Sequence, residues 1–359
     1  MKKAFDYHAP LGWRRRSLST GVLVLVQATI FLFVNMSNAP VYLFIAVNAK
    51  KLLIGHFPDF PLTSDTSFVF AIFAPIVLIS VVRDMRLMGL LSTVGNGLLL
   101  IGWLALLQHL VFSLHDLGAL QKVHHSPFDV FYGGGTMLYA FCMSHMLLPI
   151  ENTVRRRAAM HGWSGIIQTT VCVSFFVFAA SAFLGYATYG DETLDVVTLN
   201  LPRGWRLDLI VLSQIVGLYV SYGLCILPLV DMIFPGVSHR FLARWPSAHL
   251  PCEYIWRVFN VVLSVAVIML LPRLADLVSL CLTIGPLLMV VYPATAHLAI
   301  FRSSWRKEDG RVGFEELCRT IGHLLVIILG VFMSLAGAYS GVERVIEHHR
   351  QNATVVGGH

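Results

Sequence analysis

The chain has 359 residues, of which 56% are hydrophobic and only 13% are charged, and its mean hydropathy is +0.72. Soluble domains carry a charge on about a quarter of their residues. A soluble fold could not bury this much apolar surface, so the composition indicates an integral membrane protein in contact with the lipid bilayer. The basic residues behind the net charge of +6 are scattered around apolar runs without a nucleic-acid-binding motif, so nucleic acid is not predicted as a partner.

Nine apolar runs predict membrane-spanning helices, because about 17 to 25 residues carry a helix across a hydrocarbon core of ~30 Å. In chain order, the predicted spans are residues 20–47, 67–82, 87–107, 130–150, 164–187, 207–234, 254–271, 274–300 and 320–340. The second is short, and only Pro272 and Arg273 separate the seventh from the eighth, which predicts a tight hairpin. The runs lack the two-residue alternation of membrane strands, so the predicted fold class is an all-α polytopic membrane protein.

The basic residues predict the orientation of these spans. If the N-terminus is cytoplasmic, eighteen of the 26 lysines and arginines fall on the cytoplasmic side and eight on the other. This predicts a cytoplasmic segment at residues 1–19, a transmembrane domain at 20–340 and an external or lumenal tail at 341–359. Asn352 begins the sequence Asn-Ala-Thr in that tail, so it is a predicted N-glycosylation site.

No cofactor and no metal site are predicted. The six cysteines fall within predicted spans or at their cytoplasmic edges, and no two of them form a CxxC pair. Neither an extracellular disulfide framework nor a zinc site is therefore indicated.

The fourth predicted span has the most unusual pattern. Gly133, Gly134 and Gly135 open it, and Pro149 lies at its end. Consecutive glycines favour a broken helix, and free backbone groups at membrane depth occur where protein or a water-filled cavity surrounds them, as in transporter substrate sites. The alternative is that these glycines only permit close packing of helices.

Several stretches resemble one family of membrane proteins. GGGTMLYAFCMSHMLLPIENTVRRR, followed by a long apolar helix and then by GYATYGDE and TLNLP, resembles helices six and seven of proton-coupled transporters in the amino acid/auxin permease family. Weaker similarity covers IAVNAKKLL, RDMRLMGLLSTVGN and SYGLCILPLVDMIFP, which resemble the end of helix three, the junction of helices four and five, and helix eight. The matches are collinear over nearly the whole chain.

The resemblance implies a LeuT-like inverted-repeat bundle of about nine helices, which correspond to family helices three to eleven. The first two family helices have no counterpart before residue 20, so the resemblance implies an incomplete bundle and a site that lacks half of its substrate contacts. The residues expected to line what remains of the site are Gly134, Gly135, Tyr139, Phe141, Cys142 and Tyr222. Cys142 departs from the acidic or small residue that the family commonly has there, and Cys225-Ile226-Leu227 replaces a polar aromatic patch.

Two ionisable residues of the fourth span are candidates for gating or coupling. Glu151 matches the glutamate of the family's LPIEN stretch, and with the nearby Arg155 to Arg157 it suggests an inner-gate ion pair. A plain helix-end charge is the alternative. His145 could titrate near neutral pH or be a hydrogen-bonded interior histidine. Asp231 and Asp276 are expected at the interface, with water in reach.

The sequence does not predict an enzyme. Gly162-Trp163-Ser164-Gly165 satisfies the short GxSG pattern of rhomboid proteases, and His297 could be imagined as the base for Ser164. A four-residue pattern with one unrestricted position recurs by chance in protein sequences. Ser164 is expected instead to be the N-cap of the fifth span.

The leading hypothesis is a secondary transporter of small neutral amino acids, coupled to protons, in the plasma membrane or a lysosomal or vacuolar membrane. Without the first two family helices, the 359-residue chain is expected not to transport by itself, and either to be unstable or to associate with an unidentified membrane partner that fills the gap. The alternative is a transport-inactive homologue, or an incomplete gene product, with an interaction or regulatory role.

Overall fold

The computed structural model describes residues 13–114, 141, 151, 154, 157–160, 162, 164–194, 196–301 and 314–356. Within these residues the secondary structure is helical, without strands. Its α-helices are α1 (Trp13–His56), α2 (Asp65–Ala71), α3 (Phe73–Val81), α4 (Met85–Phe112), α5 (Ile166–Tyr189), α6 (Val197–Asn200), α7 (Trp205–Cys225), α8 (Phe234–Arg244), α9 (His249–Leu270), α10 (Leu274–Pro286), α11 (Tyr292–Phe301) and α12 (Phe314–Val356).

Seven helical stretches in the described part are long and apolar enough to cross a membrane. They are Gly21–His56, Arg86–Phe112, Ile166–Tyr189, Trp205–Ser238, Pro246–Leu270, Asp276–Leu298 and Leu317–Glu343. Each overlaps a predicted span, and this confirms the prediction of an all-α polytopic membrane protein. The second predicted span corresponds to the shorter apolar stretch Asp65–Val81. The fourth lies almost wholly outside the described residues, so the total of nine and the LeuT-like arrangement stay predictions.

The helix ends differ from the predicted spans in physically simple ways. α1 begins seven residues before the predicted span and continues to His56, because a helix need not stop where the hydrocarbon does. α12 likewise continues to Val356, so Asn352 lies on a helix, and its glycosylation stays a prediction. Residues 271–273 are not helical and separate α9 from α10, as predicted from Pro272.

Contacts divide the chain into two compact units. The described residues of the first are 13–33, 141, 278–301 and 314–356, and those of the second are the remaining positions up to 277. The core of the second unit joins the C-terminal half of α1 to α2, α3, α7 and α9 through the buried residues Ala39, Tyr42, Leu43, Phe68, Ile76, Tyr222, Ile226, Val261 and Val265. Burial of these side chains holds the polar groups of this unit in fixed positions.

Glycines permit α4 and α7 to approach closely in the second unit. A Cβ atom on Gly217 of α7 would lie 2.1 Å from Cγ of Leu99, and one on Gly102 of α4 would lie 1.8 Å from Oγ of Ser213. Both distances are far below van der Waals contact, so the absence of a side chain sets the spacing of these helices.

Each unit contains a proline-flanked π-helical segment. Leu229–Ile233 in the second unit lies between Pro228 and Pro235, and Leu287–Val291 in the first lies between Pro286 and Pro293. A proline has no backbone N–H donor, so each segment lies where the helical hydrogen-bond pattern changes. A neighbouring helix donates to a carbonyl group in or near each segment: the indole of Trp256 to Leu229 O at 3.1 Å, which also accepts from Phe234 N, and the hydroxyl of Ser334 to Thr283 O.

Other large apolar side chains point away from the protein. Phe175, Phe176 and Phe183 of α5 are 51%, 66% and 64% exposed. Water would oppose such a surface in a soluble protein, because large contiguous apolar patches are rare there. Their exposure therefore agrees with a lipid-facing helix.

Two expectations are corrected. Asp276 is buried, with 6% exposure, and it lies in the first turn of α10, where free backbone N–H groups stabilise a carboxylate. Gly165 rather than Ser164 is the N-cap of α5, and no side chain caps the helix there. His297, the imagined base, stacks on His323 with ring centroids 4.6 Å apart.

Candidate functional site

Most of the residues predicted to bind substrate or protons lie outside the described part of the chain. These are Gly134, Gly135, Tyr139, Cys142 and His145. Phe141 and Glu151 are described singly, and both are half-buried. Their assigned roles therefore stay predictions.

Tyr222 is the predicted site residue whose surroundings are described. It is fully buried on α7, and its hydroxyl donates to Ser264 Oγ at 3.2 Å. Ser264 in turn donates to Asn260 O at 3.1 Å, and the ring of Tyr42 meets that of Tyr222 edge to face at 6.0 Å. In this conformation the side chain belongs to the core of the second unit. Contact with a substrate would require its neighbours to move.

A cluster of three charged side chains lies where α3 ends and α9 begins. We name Arg83, Glu253 and Arg257 the arginine cluster. Arg83 makes a forked contact with the Glu253 carboxylate, from Nε to Oε1 at 3.1 Å and from Nη2 to Oε2 at 2.9 Å. Arg257 donates to the same Oε1 from Nε at 3.1 Å and from Nη2 at 3.0 Å. One carboxylate therefore bridges two guanidinium groups.

Arg257 also joins α9 to the end of α3. Its Nη1 donates to Ser80 O at 2.8 Å and to Val82 O at 3.3 Å. These carbonyl groups belong to the last turn of α3, where no intrahelical donor remains and the helix dipole favours a cation. The side chains of Glu253 and Arg257 are only 6% and 4% exposed, and separating the helices would take Arg83 away from Glu253 and the carbonyl groups of α3 away from Arg257, while Glu253 and Arg257 would stay paired with each other.

Arg83 forms the more exposed side of the arginine cluster. Its side chain is 40% exposed, and its guanidinium lies 5.9 Å from the ring centre of Tyr254. The hydrogen bond to Glu253 raises the pKa of Arg83 above its already high ordinary value. Arg83 therefore stays charged at every physiological pH, and proton uptake by this residue cannot open the cluster.

A second polar contact joins the C-terminal end of α1 to the segment around α6. The Lys51 ammonium donates to Thr198 O at 2.7 Å, Leu199 O at 3.2 Å and Leu201 O at 2.8 Å. Asn48 is fully buried, and its Oδ1 accepts from the Thr198 hydroxyl at 2.7 Å. We name Asn48 and Lys51 with residues 198–201 the lysine clasp.

The two contacts agree with the predicted topology. The arginine cluster joins residues that the basic-residue count places on the cytoplasmic side, and the lysine clasp joins residues that it places on the external side. A further pair, His56 with Asp208 at 3.7 Å, joins a predicted external residue to the external end of the sixth predicted span. The direction of insertion stays a prediction, since these contacts would be the same if the whole chain were inverted.

Sequence reasoning missed both contacts. Arg83 and Arg257 contribute only to the predicted orientation of the spans, although Glu253 and Arg257 have the i, i+4 spacing of a helical ion pair, which indicates part of the cluster. The clasp has no such signal, because its acceptors are backbone carbonyl groups far along the chain.

Within the described residues, no group of three potential ligands could hold a metal ion.

Long apolar helices with lipid-exposed side chains, and buried charges at the ends of those helices, define a polytopic α-helical membrane protein. The model of the family described as transmembrane amino acid transporter protein matches residues 2–340. The chain therefore belongs to this family, which consists of transporters rather than enzymes. No solved structure is significantly similar to it.

Similar proteins come from several organisms. The probable amino acid transporter skat-1 of Caenorhabditis elegans is 25% identical over 98% of this chain and 75% of its own length. Amino acid transporter AVT3B of Arabidopsis thaliana is 26% identical over 60% of this chain and 47% of its own. The proton-coupled amino acid transporter-like protein pathetic of Drosophila melanogaster is 21% identical over 78% of this chain and 57% of its own length. The chain thus spans three quarters of the worm protein and about half of the other two.

Proposed function

We propose that this protein carries small neutral amino acids across a membrane and couples their movement to protons. Family membership over residues 2–340 carries the proposal, and the worm and plant relatives are named as amino acid transporters. The name of the fly relative supports proton coupling. Small neutral substrates fit the predicted site, because none of its six residues has a side chain that is charged at neutral pH and could pair with a charged substrate.

In this proposal, the arginine cluster and the lysine clasp are gates that open in turn. Transporters of this type expose a central site to one side of the membrane at a time. Both gates are formed in the conformation described, and each consists of contacts that can break without unfolding a helix. His145 and Glu151 are proposed as the coupling residues, because both lie in or at the end of the fourth predicted span and each has a side chain that can bind a proton.

Uptake by the purified chain tests the proposal. The 359-residue protein is reconstituted in liposomes, and uptake of labelled alanine is measured with and without an inwardly directed proton gradient. Saturable uptake that the gradient stimulates and a protonophore abolishes would support the proposal, and it would show that the sequence-based expectation of no transport by the 359-residue chain alone is wrong. Glutamate and arginine should compete weakly, because their side-chain charges would have no partner.

The membrane that contains the protein is a separate proposal, with the plasma membrane and a lysosomal or vacuolar membrane as the two candidates. Fluorescent tagging with markers for each compartment distinguishes them.

In the uptake experiment, absence of uptake by well-folded protein would favour the alternative of a transport-inactive membrane protein with an interaction role. Co-purification with a defined membrane partner would then be the next observation to seek.

A further inference from the structure

Two stretches picked out in the sequence meet in the lysine clasp. IAVNAKKLL contains Asn48 and Lys51, and TLNLP is residues 198–202. The sequence pattern alone does not explain why these residue types occur together. In the structure, the first stretch supplies an amide and an ammonium, and the second supplies one hydroxyl and three carbonyl groups.

The clasp satisfies the whole hydrogen-bonding capacity of the Lys51 ammonium. An ammonium group has three donors and no acceptor, and here three carbonyl oxygens surround it at 2.7 to 3.2 Å. Thr198 and Leu199 belong to the single turn of α6 and Leu201 follows it, and each of their carbonyl oxygens presents a partial negative charge to the ammonium. The arrangement therefore selects a small cation that carries several N–H donors.

The carbonyl groups are held in place by contacts that do not involve Lys51. The Asn200 side chain accepts from Leu194 N and donates to Glu192 O, both at 2.9 Å. The Leu201 side chain is 3% exposed and packs in a cluster with Leu106 and Ile210. These contacts keep the acceptors near their present average positions when the ammonium leaves, while the segment opens more often because the ammonium no longer holds it.

We propose that the carbonyl oxygens of Thr198, Leu199 and Leu201 form a binding site for primary ammonium groups, in which Lys51 is a tethered occupant. Lys51 is then a positioning residue that closes the clasp end of the second unit by filling this site. The role of Lys51 as a gate rests on the proposed transport function, whereas the ammonium site does not depend on that function. A free primary ammonium ion can occupy the site when Lys51 is removed.

Amide hydrogen exchange followed by mass spectrometry tests the site in the intact chain. In Lys51→Ala we expect exchange in residues 196–202 to rise about tenfold or more, because three charge-assisted hydrogen bonds are lost. Exchange in α9 should not change. Methylammonium should restore slow exchange in residues 196–202, whereas tetramethylammonium, which has no N–H donor, should not.

Lys50→Ala is the matched control, because the neighbouring Lys50 pairs with the 62% exposed Asp65 instead. Unchanged exchange in Lys51→Ala, or equal effects of the two ammonium ions, would overturn the proposal. If Lys51→Ala does not fold, Lys51→Met keeps the apolar stem and replaces it in the experiment. Failure of both variants to fold, with Lys50→Ala intact, would also contradict it, because an open site must be compatible with a folded chain. None of these readouts depends on transport, so their failure is distinguishable from failure of the proposed function.

Discussion

The arginine cluster and the lysine clasp lie at opposite ends of the second unit. Helix α7 connects them: Asp208 pairs with His56 beside the clasp, and Gly223 lies against Ile79, the residue before Ser80. Fifteen residues of helix separate these two points, which corresponds to about 22 Å. The cluster depends on charges of opposite sign on side chains, whereas the clasp depends on a cation and neutral backbone carbonyl groups. The two ends should therefore respond differently to substitution.

The largest expected effect is at the centre of the arginine cluster. Glu253→Ala leaves the buried Arg257 without a counter-charge, and we expect the free energy of unfolding to fall by about 3–5 kcal/mol. Denaturant titration in detergent measures this change. The control is Glu192→Ala at an exposed position, where we expect no more than about 0.5 kcal/mol. A loss below 1 kcal/mol for Glu253→Ala, on the order of the control, would show that the cluster does not hold α3 and α9 together.

A smaller effect is expected in the clasp. Thr198→Val removes the hydroxyl that donates to Asn48 and leaves a buried amide oxygen without this donor, which costs about 1–3 kcal/mol. Thr93→Val is the control, because Thr93 is exposed and its hydroxyl bonds only to Gly89 O in its own helix. The same titration compares the two variants. Equal stability would contradict the structural role of Asn48 and Thr198.

A still smaller change in stability is expected for a substitution at Tyr222, which lies between the two ends. Tyr222→Phe removes one hydrogen bond but leaves Ser264 bonded to Asn260 O, so we expect a loss of about 0.5–1.5 kcal/mol. If Tyr222 also contacts substrate during transport, KM for alanine should rise in this variant. Ser264→Ala removes the same hydrogen bond and is the matched comparison. A similar KM in both variants would limit Tyr222 to its role in the core.

The smallest effect is expected at Lys50. Lys50→Ala breaks the 2.8 Å pair with exposed Asp65, and such surface pairs contribute about 0–1 kcal/mol. The effect should shrink further in high salt, which screens exposed charges. Stability measured at low and high salt concentration checks this. A loss as large as that of Thr198→Val would contradict the distinction between the two adjacent lysines.

The sequence predicted the elements of this fold better than its polar contacts. Apolar runs set by the thickness of a bilayer predicted the long helices, and the break at Pro272 follows from the missing donor of proline. Helix ends such as His56 and Val356 were not predictable, because polar residues can continue a helix beyond the hydrocarbon.

The candidate site was less predictable for two physical reasons. Glu253 and Arg257 could have been paired from their spacing, but the contribution of Arg83 depends on how α3 and α9 pack. The acceptors of Lys51 are backbone atoms, which every residue has, so no residue type marks them. The fourth span, with its predicted Gly134 and Gly135, lies outside the described residues, and its role stays a prediction.

The central claim is that the two ends of the second unit open in turn, and paired distance measurements test it most directly. Nitroxide labels are placed at His56 and Trp205 beside the clasp, or at Arg86 and Leu250 beside the arginine cluster, all four of which are exposed. The six native cysteines are first replaced, and variants that retain alanine uptake are used. On adding alanine at acidic pH, we predict that the distance at one end increases while that at the other stays short or decreases. An increase at both ends together, or no change at either end in protein that transports alanine, would contradict the account.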